Sequence, residues 1–235
     1  MIDIHSHILP GIDDGSNNLE QSIEILREAR DAGFSKIILT PHYIEDYYDV
    51  DEESRNKLMD ELKENYQDIE LYLGNEIYIS ENMIDLIKEK KASSLNGSRY
   101  ILFEFPMNNK AMIAKEMIYR IIENNYVPIV AHPERYSYVQ ENPDYVKELA
   151  EMGALFQSNY GSIVGLYGNK AKKTLEKLLK EDLISFFGSD AHRTEQVYYN
   201  MPKIIKKLRK VISDEKLEEL TEINPQKIID NEPIE

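Results

Sequence analysis

Two stretches decide the fold: Lys36-Ile37-Ile38-Leu39-Thr40-Pro41-His42 and Val127-Pro128-Ile129-Val130-Ala131-His132. Each is a short β-branched run, apolar at consecutive positions, that ends on a histidine. Apolar residues on both faces of a strand suit a sheet covered on both sides, and such sheets are parallel with helical crossovers. Comparable runs lie at Ile2–His5, Glu70–Leu73 continuing toward Ile77, Tyr100–Phe105, Ala154–Ser158 and Ile184–Gly188. Amphipathic stretches separate them: Leu19–Ala32, Asp51–Gln67, Glu81–Lys90, Ala111–Asn124, Pro143–Glu151, Asn169–Lys180 and Val197–Val211. In the first of these Leu19, Ile23, Leu26 and Ala29 recur at helical spacing, and Gly33 follows as a stop. Alternating strands and helices predict an α/β fold, either a barrel or a doubly wound sheet. The length of 235 residues suits one α/β barrel, which runs to roughly 250 residues. No linker or repeat divides the chain, so residues 1–235 read as one domain. Asp214–Leu220 and Pro225–Asp230 read as short closing helices, and Glu232-Pro233-Ile234-Glu235 as a loose tail.

Composition excludes several chemistries. With no cysteine there are no disulfides, thiolate metal sites or thiol nucleophiles. The net charge of −15 argues against nucleic acid and anionic membranes, which need clustered cations. No apolar run approaches the roughly 20 residues that cross a bilayer, and Met1-Ile2-Asp3-Ile4-His5 is no signal peptide. A cytoplasmic protein with no stable membrane insertion is expected.

All five histidines fall at or just beyond the C-terminal end of an expected strand: His5, His7, His42, His132 and His192. Glu76, Glu104, Asp190 and the pair Asp13-Asp14 fall at equivalent places. Strand ends of a parallel α/β fold converge on one face, where ligands bind. Residues two apart on a strand share a face, so His5 and His7 can hold one cation together. Asp190 and His192 can do the same if their strand extends that far. Imidazole with carboxylate suits divalent manganese, iron or zinc. A lone histidine at a strand end is usually structural; the conjunction of all of them at one end outweighs that reading. The candidate set is His5, His7, Asp14, His42, Glu76, Glu104, His132, Asp190 and His192. Nine groups exceed the roughly four to six ligands of one ion and suffice for two or three. Of Asp13 and Asp14 only one need be a ligand; the other could cap the helix that begins near Asn17-Asn18.

The motifs Ile2-Asp3-Ile4-His5-Ser6-His7 through Asp13-Asp14-Gly15, Thr40-Pro41-His42, Gly74-Asn75-Glu76-Ile77, Tyr100–Pro106, Ala131-His132-Pro133-Glu134-Arg135 and Gly188-Ser189-Asp190-Ala191-His192 span nearly the whole chain. They resemble the polymerase-and-histidinol-phosphatase (PHP) superfamily, and within it the bacterial manganese-dependent protein-tyrosine phosphatases of the CpsB/CapC type. The resemblance implies a distorted (β/α)7 TIM-like barrel and a trinuclear centre of Mn, with Fe, Zn or Co as alternatives. It favours Asp14 over Asp13. It implies that His5, His7, Glu76 and Asp190 hold one metal, that Glu76 bridges to a second held by Glu104 and His132, and that Asp14, His42 and His192 hold a third. It further implies hydrolysis of phosphotyrosine by a metal-activated hydroxide, on a bacterial tyrosine kinase that controls capsule or exopolysaccharide synthesis. Three divalent ions would leave the site positive although the whole chain is not, which draws in a phosphoester. Arg135, three residues after His132, is the choice for a guanidinium fork on the phosphoryl oxygens. One departure concerns Arg193. Close relatives carry an arginine several residues after the Asp-Ala-His stretch; here Arg193 comes at once, and Thr194–Met201 contains none. Arg193 is therefore a candidate for that phosphate contact. Tyr43, Tyr47, Tyr48, Tyr78, Tyr136, Tyr160 and Tyr199 fall in loops near the expected site and could stack on a phenol ring. The competing readings are a small-molecule phosphoesterase of the histidinol-phosphate type and a non-catalytic phosphotyrosine-binding module.

Overall fold

In the computed structural model, which describes residues 1–234, the expected strands form one continuous parallel succession. Strand β1 (Ile2–Asp3) pairs with β2 (Lys36–Leu39), and β2 with β4 (Glu70–Leu73). Beyond Thr40-Pro41 the second line resumes as β3 (His42–Tyr43), and beyond Gly74-Asn75 the third resumes as β5 (Glu76–Tyr78). Strands β3, β5, β6 (Tyr100–Glu104), β7 (Val127–Ala131), β8 (Leu155–Asn159) and β9 (Phe186–Gly188) follow in that order. The ring closes where Ser6 bridges Ala191 in parallel, with His7 N–H on the Ala191 carbonyl at 3.0 Å and Asp190 N–H on the His5 carbonyl at 2.8 Å. The result is a distorted seven-line α/β barrel among the described residues.

The two-faced apolar runs explain the closure. Ile38, Leu102, Ile129, Ala131 and Phe186 point inward and meet Ile2, Ile4 and Tyr100 in the barrel interior. Their neighbours Ile37, Leu39, Ile101, Phe103, Val130 and Phe187 point outward and pack beneath the helices. Leu95 and Ile228 plug the floor. With the interior filled by apolar side chains, polar residues of inward parity remain only at the C-terminal mouth.

The helices occur where expected with trimmed ends: Leu19–Asp31, Glu52–Asn65, Met83–Lys88, Ala114–Glu123, Asp144–Ala150, Gly168–Lys180 and Met201–Leu208. A short helix at Ser137–Glu141 was not expected. Asp13 does not cap the first helix; Asn18 does, its side chain accepting from the Gln21 N–H at 2.9 Å. The tail is also not loose up to Ile234. Tyr100 donates its hydroxyl to the Glu232 carbonyl at 2.5 Å, Arg99 binds Asn231, and Ile234 packs on the barrel interior cluster. Glu235 lies outside the described residues. No helix among the described residues is long and apolar enough to cross a membrane.

Candidate metal centre

The mouth gathers all nine candidate donors. The Nε2 atoms of His5 and His7 lie 3.1 Å apart. Glu76 Oε2 stands 3.2 and 3.3 Å from them, and Asp190 Oδ1 stands 3.6 and 3.4 Å from them. Glu76 turns its other oxygen to His132 Nε2 at 2.8 Å, and Glu104 Oε2 lies 3.9 Å from the same nitrogen. His42 spans two groups: Nδ1 is 3.1 Å from Glu76 and 3.4 Å from Glu104, while Nε2 is 3.6 Å from Asp14. His192 Nε2 lies 3.3 Å from Asp14. Donor atoms therefore cluster as His5–His7–Asp190, His5–Glu76–His132, His42–Glu76–Glu104 and His7–Asp14–His42–His192. The first three clusters are deep, apart from the half-buried His42, and the last opens to solvent through exposed Asp14.

Backbone geometry aims these side chains. His132 would face outward by strand parity, since Ala131 faces inward; a left-handed backbone at φ 34° turns it back into the mouth. Asp190 is also left-handed, at φ 53°. The regular strand thus ends at Gly188, so Asp190 and His192 do not share a strand face; the turned backbone still leaves His192 Nδ1 3.4 Å from Asp190 Oδ1, while His192 Nε2 faces Asp14. Two glycines make room. A Cβ on Gly188 would lie 2.7 Å from His5 Cβ and from Gln157 Nε2, and one on Gly15 would lie 2.1 Å from the His7 carbonyl oxygen.

The electrostatics are those of a site built for cations. Burial, the Glu76 carboxylate and Asp190 push Glu104 up to about 9. Burial and the neighbouring Arg135 guanidinium bring His132 down to about 4, so its ring is a neutral donor. Burial works against the charge of Glu76 and Asp190, but the surrounding imidazoles outweigh it and hold both well below the carboxylate range. Three buried atoms at the mouth lack any hydrogen-bond partner: Glu76 Oε2, His42 Nδ1 and His132 Nδ1. Unpartnered buried donors and acceptors are costly. Glu76 Oε2, ringed by three imidazoles, is the acceptor a shared cation would satisfy.

Around this set stand Asp13, for which the sequence offered a ligand or a capping role, and residues that the sequence did not single out. Asp13 Oδ2 accepts from His7 Nδ1 at 2.7 Å and from the His42 N–H at 2.9 Å, so it orients two candidate ligands. Its signal was the Asp-Asp-Gly step itself, whose two carboxylates split the roles. Gln157 and Asn159 on β8 reach His5 and Asp190. Tyr167 lies beneath the Arg135 guanidinium, 4.4 Å from ring centroid to Cζ.

The two candidate arginines differ. Arg135 overlooks the mouth: its Nη1 donates to Asp190 Oδ2, and the side chain is a quarter exposed. Arg193 directs Nη1 to the backbone carbonyls of Asp14, Gly15 and His192, tying the first loop to the last. Of the loop tyrosines, Tyr43, Tyr136 and Tyr160 are buried in packing, and Tyr199 is exposed. Tyr48 stacks parallel to His42 at 6.0 Å with Tyr47 against its edge at 4.5 Å.

Known proteins match this chain over nearly its whole length. The family model described as capsular polysaccharide synthesis, CpsB/CapC, covers residues 1–230. The tyrosine-protein phosphatase YwqE of Bacillus subtilis is 34% identical over 100% of this chain and 93% of its own length. The tyrosine-protein phosphatase CpsB of Streptococcus pneumoniae is 32% identical over 97% of this chain and 98% of its own. A crystal structure from work on YwqE and CpsB, described there as unique metal-dependent tyrosine phosphatases, superposes with a TM-score of 0.90 at 32% identity, covering 100% of this chain and 96% of that one. With motifs, barrel and model match in agreement, the chain belongs to the CpsB/CapC family of capsular polysaccharide synthesis proteins.

Proposed function

We propose that the protein is a metal-dependent phosphotyrosine-protein phosphatase acting on a bacterial tyrosine kinase that governs capsule or exopolysaccharide synthesis. The observation that carries this reading is the convergence of nine imidazole and carboxylate donors beneath one arginine in a chain without cysteine. His5, His7, Asp190 and Glu76 would hold one ion, Glu76, Glu104 and His132 a second, and Asp14, His42 and His192 a third. Two to three divalent ions, manganese first with iron, zinc or cobalt fitting the same donors, supply Lewis acidity that acidifies water and offsets phosphoryl charge.

The remaining work falls to the chain's own groups. Arg135 keeps one nitrogen on Asp190 and presents its other N–H groups to the phosphoryl oxygens, while the Tyr167 ring fixes the guanidinium plane. Tyr47 and Tyr48 form an aromatic wall beside His42 for the phenol ring. The leaving phenolate has a pKa of about 10, so protonation by the protein is less needed than for an alkyl ester. Arg193 serves as the loop tie that places Asp14 opposite His192. The proposed substrate also sets the place of action, since kinase phosphotyrosines form where ATP is, in the cytoplasm. Purified protein should be offered a phosphotyrosyl peptide, a phosphoseryl peptide and histidinol phosphate, with manganese and with chelator. Manganese-dependent release of phosphate from the phosphotyrosyl peptide is expected. Preference for histidinol phosphate would favour the small-molecule reading, and binding without turnover the non-catalytic one.

A further inference from the structure

Strand β8 supplies none of the candidate ligands, yet its inward positions end on two buried amides. Leu155 packs toward the barrel interior, and Gln157 and Asn159 follow at the same parity. We infer that Gln157 and Asn159 are positioning residues that aim one lone pair each of His5 and Asp190 at a common cation. The inference rests on the metal-dependent reading above.

The contacts form a chain with one direction. His5 donates Nδ1–H to Gln157 Oε1 at 2.7 Å. Gln157 donates Nε2–H to Asn159 Oδ1 at 2.9 Å. Asn159 donates Nδ2–H to Asp190 Oδ2 at 2.7 Å. Asp190 Oδ2 can only accept, so Asn159 must present its NH2 there and its carbonyl oxygen to Gln157. Gln157 must then present its own carbonyl oxygen to His5. Each amide is locked by the next, and the chain fixes the proton of His5 on Nδ1. His5 Nε2 is thereby a lone pair, and it faces His7 Nε2 at 3.1 Å. At the other end Asp190 Oδ2 is saturated by Asn159 and Arg135, which leaves Oδ1 as the free oxygen on the side of His5 and His7. Space enforces the arrangement, since Gly188 lies too close to Gln157 and His5 to carry a side chain. His7 has its own orienting partner in Asp13. The cluster His5–His7–Asp190 therefore has each of its donors held from behind, two of them through β8.

The test is manganese affinity, measured by calorimetry and chelator competition with the metal alone. Gln157→Leu should keep the wild-type circular dichroism and lose about 10- to 100-fold in affinity at the tightest site, the range seen when partners of metal ligands are removed. Gln157→Glu still accepts from His5 Nδ1 but cannot donate to Asn159, so it should recover only the His5 share of the loss. Turnover of Gln157→Leu on an aryl phosphate should rise toward wild type as manganese is raised, because the variant lacks affinity and no reacting group. Should Gln157→Leu not fold, Asn159→Ser carries the same test, with about a tenfold loss expected. Wild-type manganese affinity in a folded Gln157→Leu or Asn159→Ser variant would overturn the inference, as would equal losses in the Leu and Glu variants. The affinity readout does not involve hydrolysis. Weakened metal in a protein that never hydrolyses phosphotyrosine would leave this inference standing and remove the phosphatase reading.

Discussion

Replacing Arg135 by Ala separates two roles that its position combines. The guanidinium pairs with Asp190 and stacks on Tyr167, with a quarter of the side chain open to the mouth. If its free N–H groups grip the phosphoryl oxygens, removal costs about 2–4 kcal/mol of transition-state stabilisation, as for comparable charge-stabilising donors. That corresponds to a fall in kcat/KM of about 30- to 1,000-fold. If Arg135 only orients Asp190, the loss lies in metal affinity and excess manganese restores it. The assay is therefore kcat/KM on an aryl phosphate across a manganese titration, with inorganic phosphate inhibition measured alongside. The expected result is a loss that saturating manganese does not repair, together with weaker phosphate inhibition. Arg135→Lys should recover less than about tenfold, because a point charge reproduces neither the fork nor the stack on Tyr167. An Arg135→Ala enzyme with wild-type kcat/KM, or one fully restored by manganese, would refute the phosphate grip.

Four further outcomes are expected. Elemental analysis of gently purified protein should find more than one transition-metal equivalent; chelation should abolish activity and manganese restore it, and full activity after exhaustive chelation would end the metal mechanism. His5→Ala and His7→Ala should each lower kcat by at least roughly a hundredfold, since removing a ligand exceeds the 10- to 100-fold effect of removing a ligand's partner; near-normal turnover with intact circular dichroism would count against the site. Loading metal at neutral pH should release protons: Glu104, pushed up to about 9 by burial, Glu76 and Asp190, must ionise to become a ligand. Affinity should then rise with pH up to that value, and calorimetry in buffers of different ionisation enthalpy that finds no proton release would contradict it. Arg193→Ala unties carbonyls of the first and last loops, so it should weaken retention of the outermost metal while KM at saturating manganese stays within about twofold; a large KM rise would make Arg193 a phosphate contact instead.

The covered parallel sheet was legible because its strands carry apolar residues on both faces, and Ile37-Ile38-Leu39 or Ile129-Val130-Ala131 admits few other readings. The donors were legible because imidazoles and carboxylates at the ends of such strands have no reason to cluster except one another. The choice between barrel and open sheet was not legible from periodicity, since it turns on the Ser6–Ala191 bridge between segments far apart in sequence. Nor did strand logic foresee that the strand would stop at Gly188 before Asp190 and His192, because that depends on one left-handed residue. Gln157 and Asn159 escaped notice because neutral amides carry no charge signal. Three consecutive polar residues, Gln157-Ser158-Asn159, closing an otherwise apolar strand were the available cue.

The closing bridge has a consequence for how the chain assembles. Residues that zip the first strand to the last, His5, His7, Asp190 and Ala191, are the candidate ligands themselves or their immediate neighbours. Joining them closes a loop of more than 180 residues, which is entropically expensive. Asp3 reinforces the join, taking the His5 and Ser189 N–H groups on one oxygen and the Tyr198 hydroxyl on the other. A cation bound across this seam is a cross-link between the two ends of the barrel, and at a thousand times its dissociation constant it adds about 4 kcal/mol to stability. The amides of His7 and Asp190 should accordingly be the barrel's reporters in hydrogen exchange, opening first in chelator and closing when metal is returned.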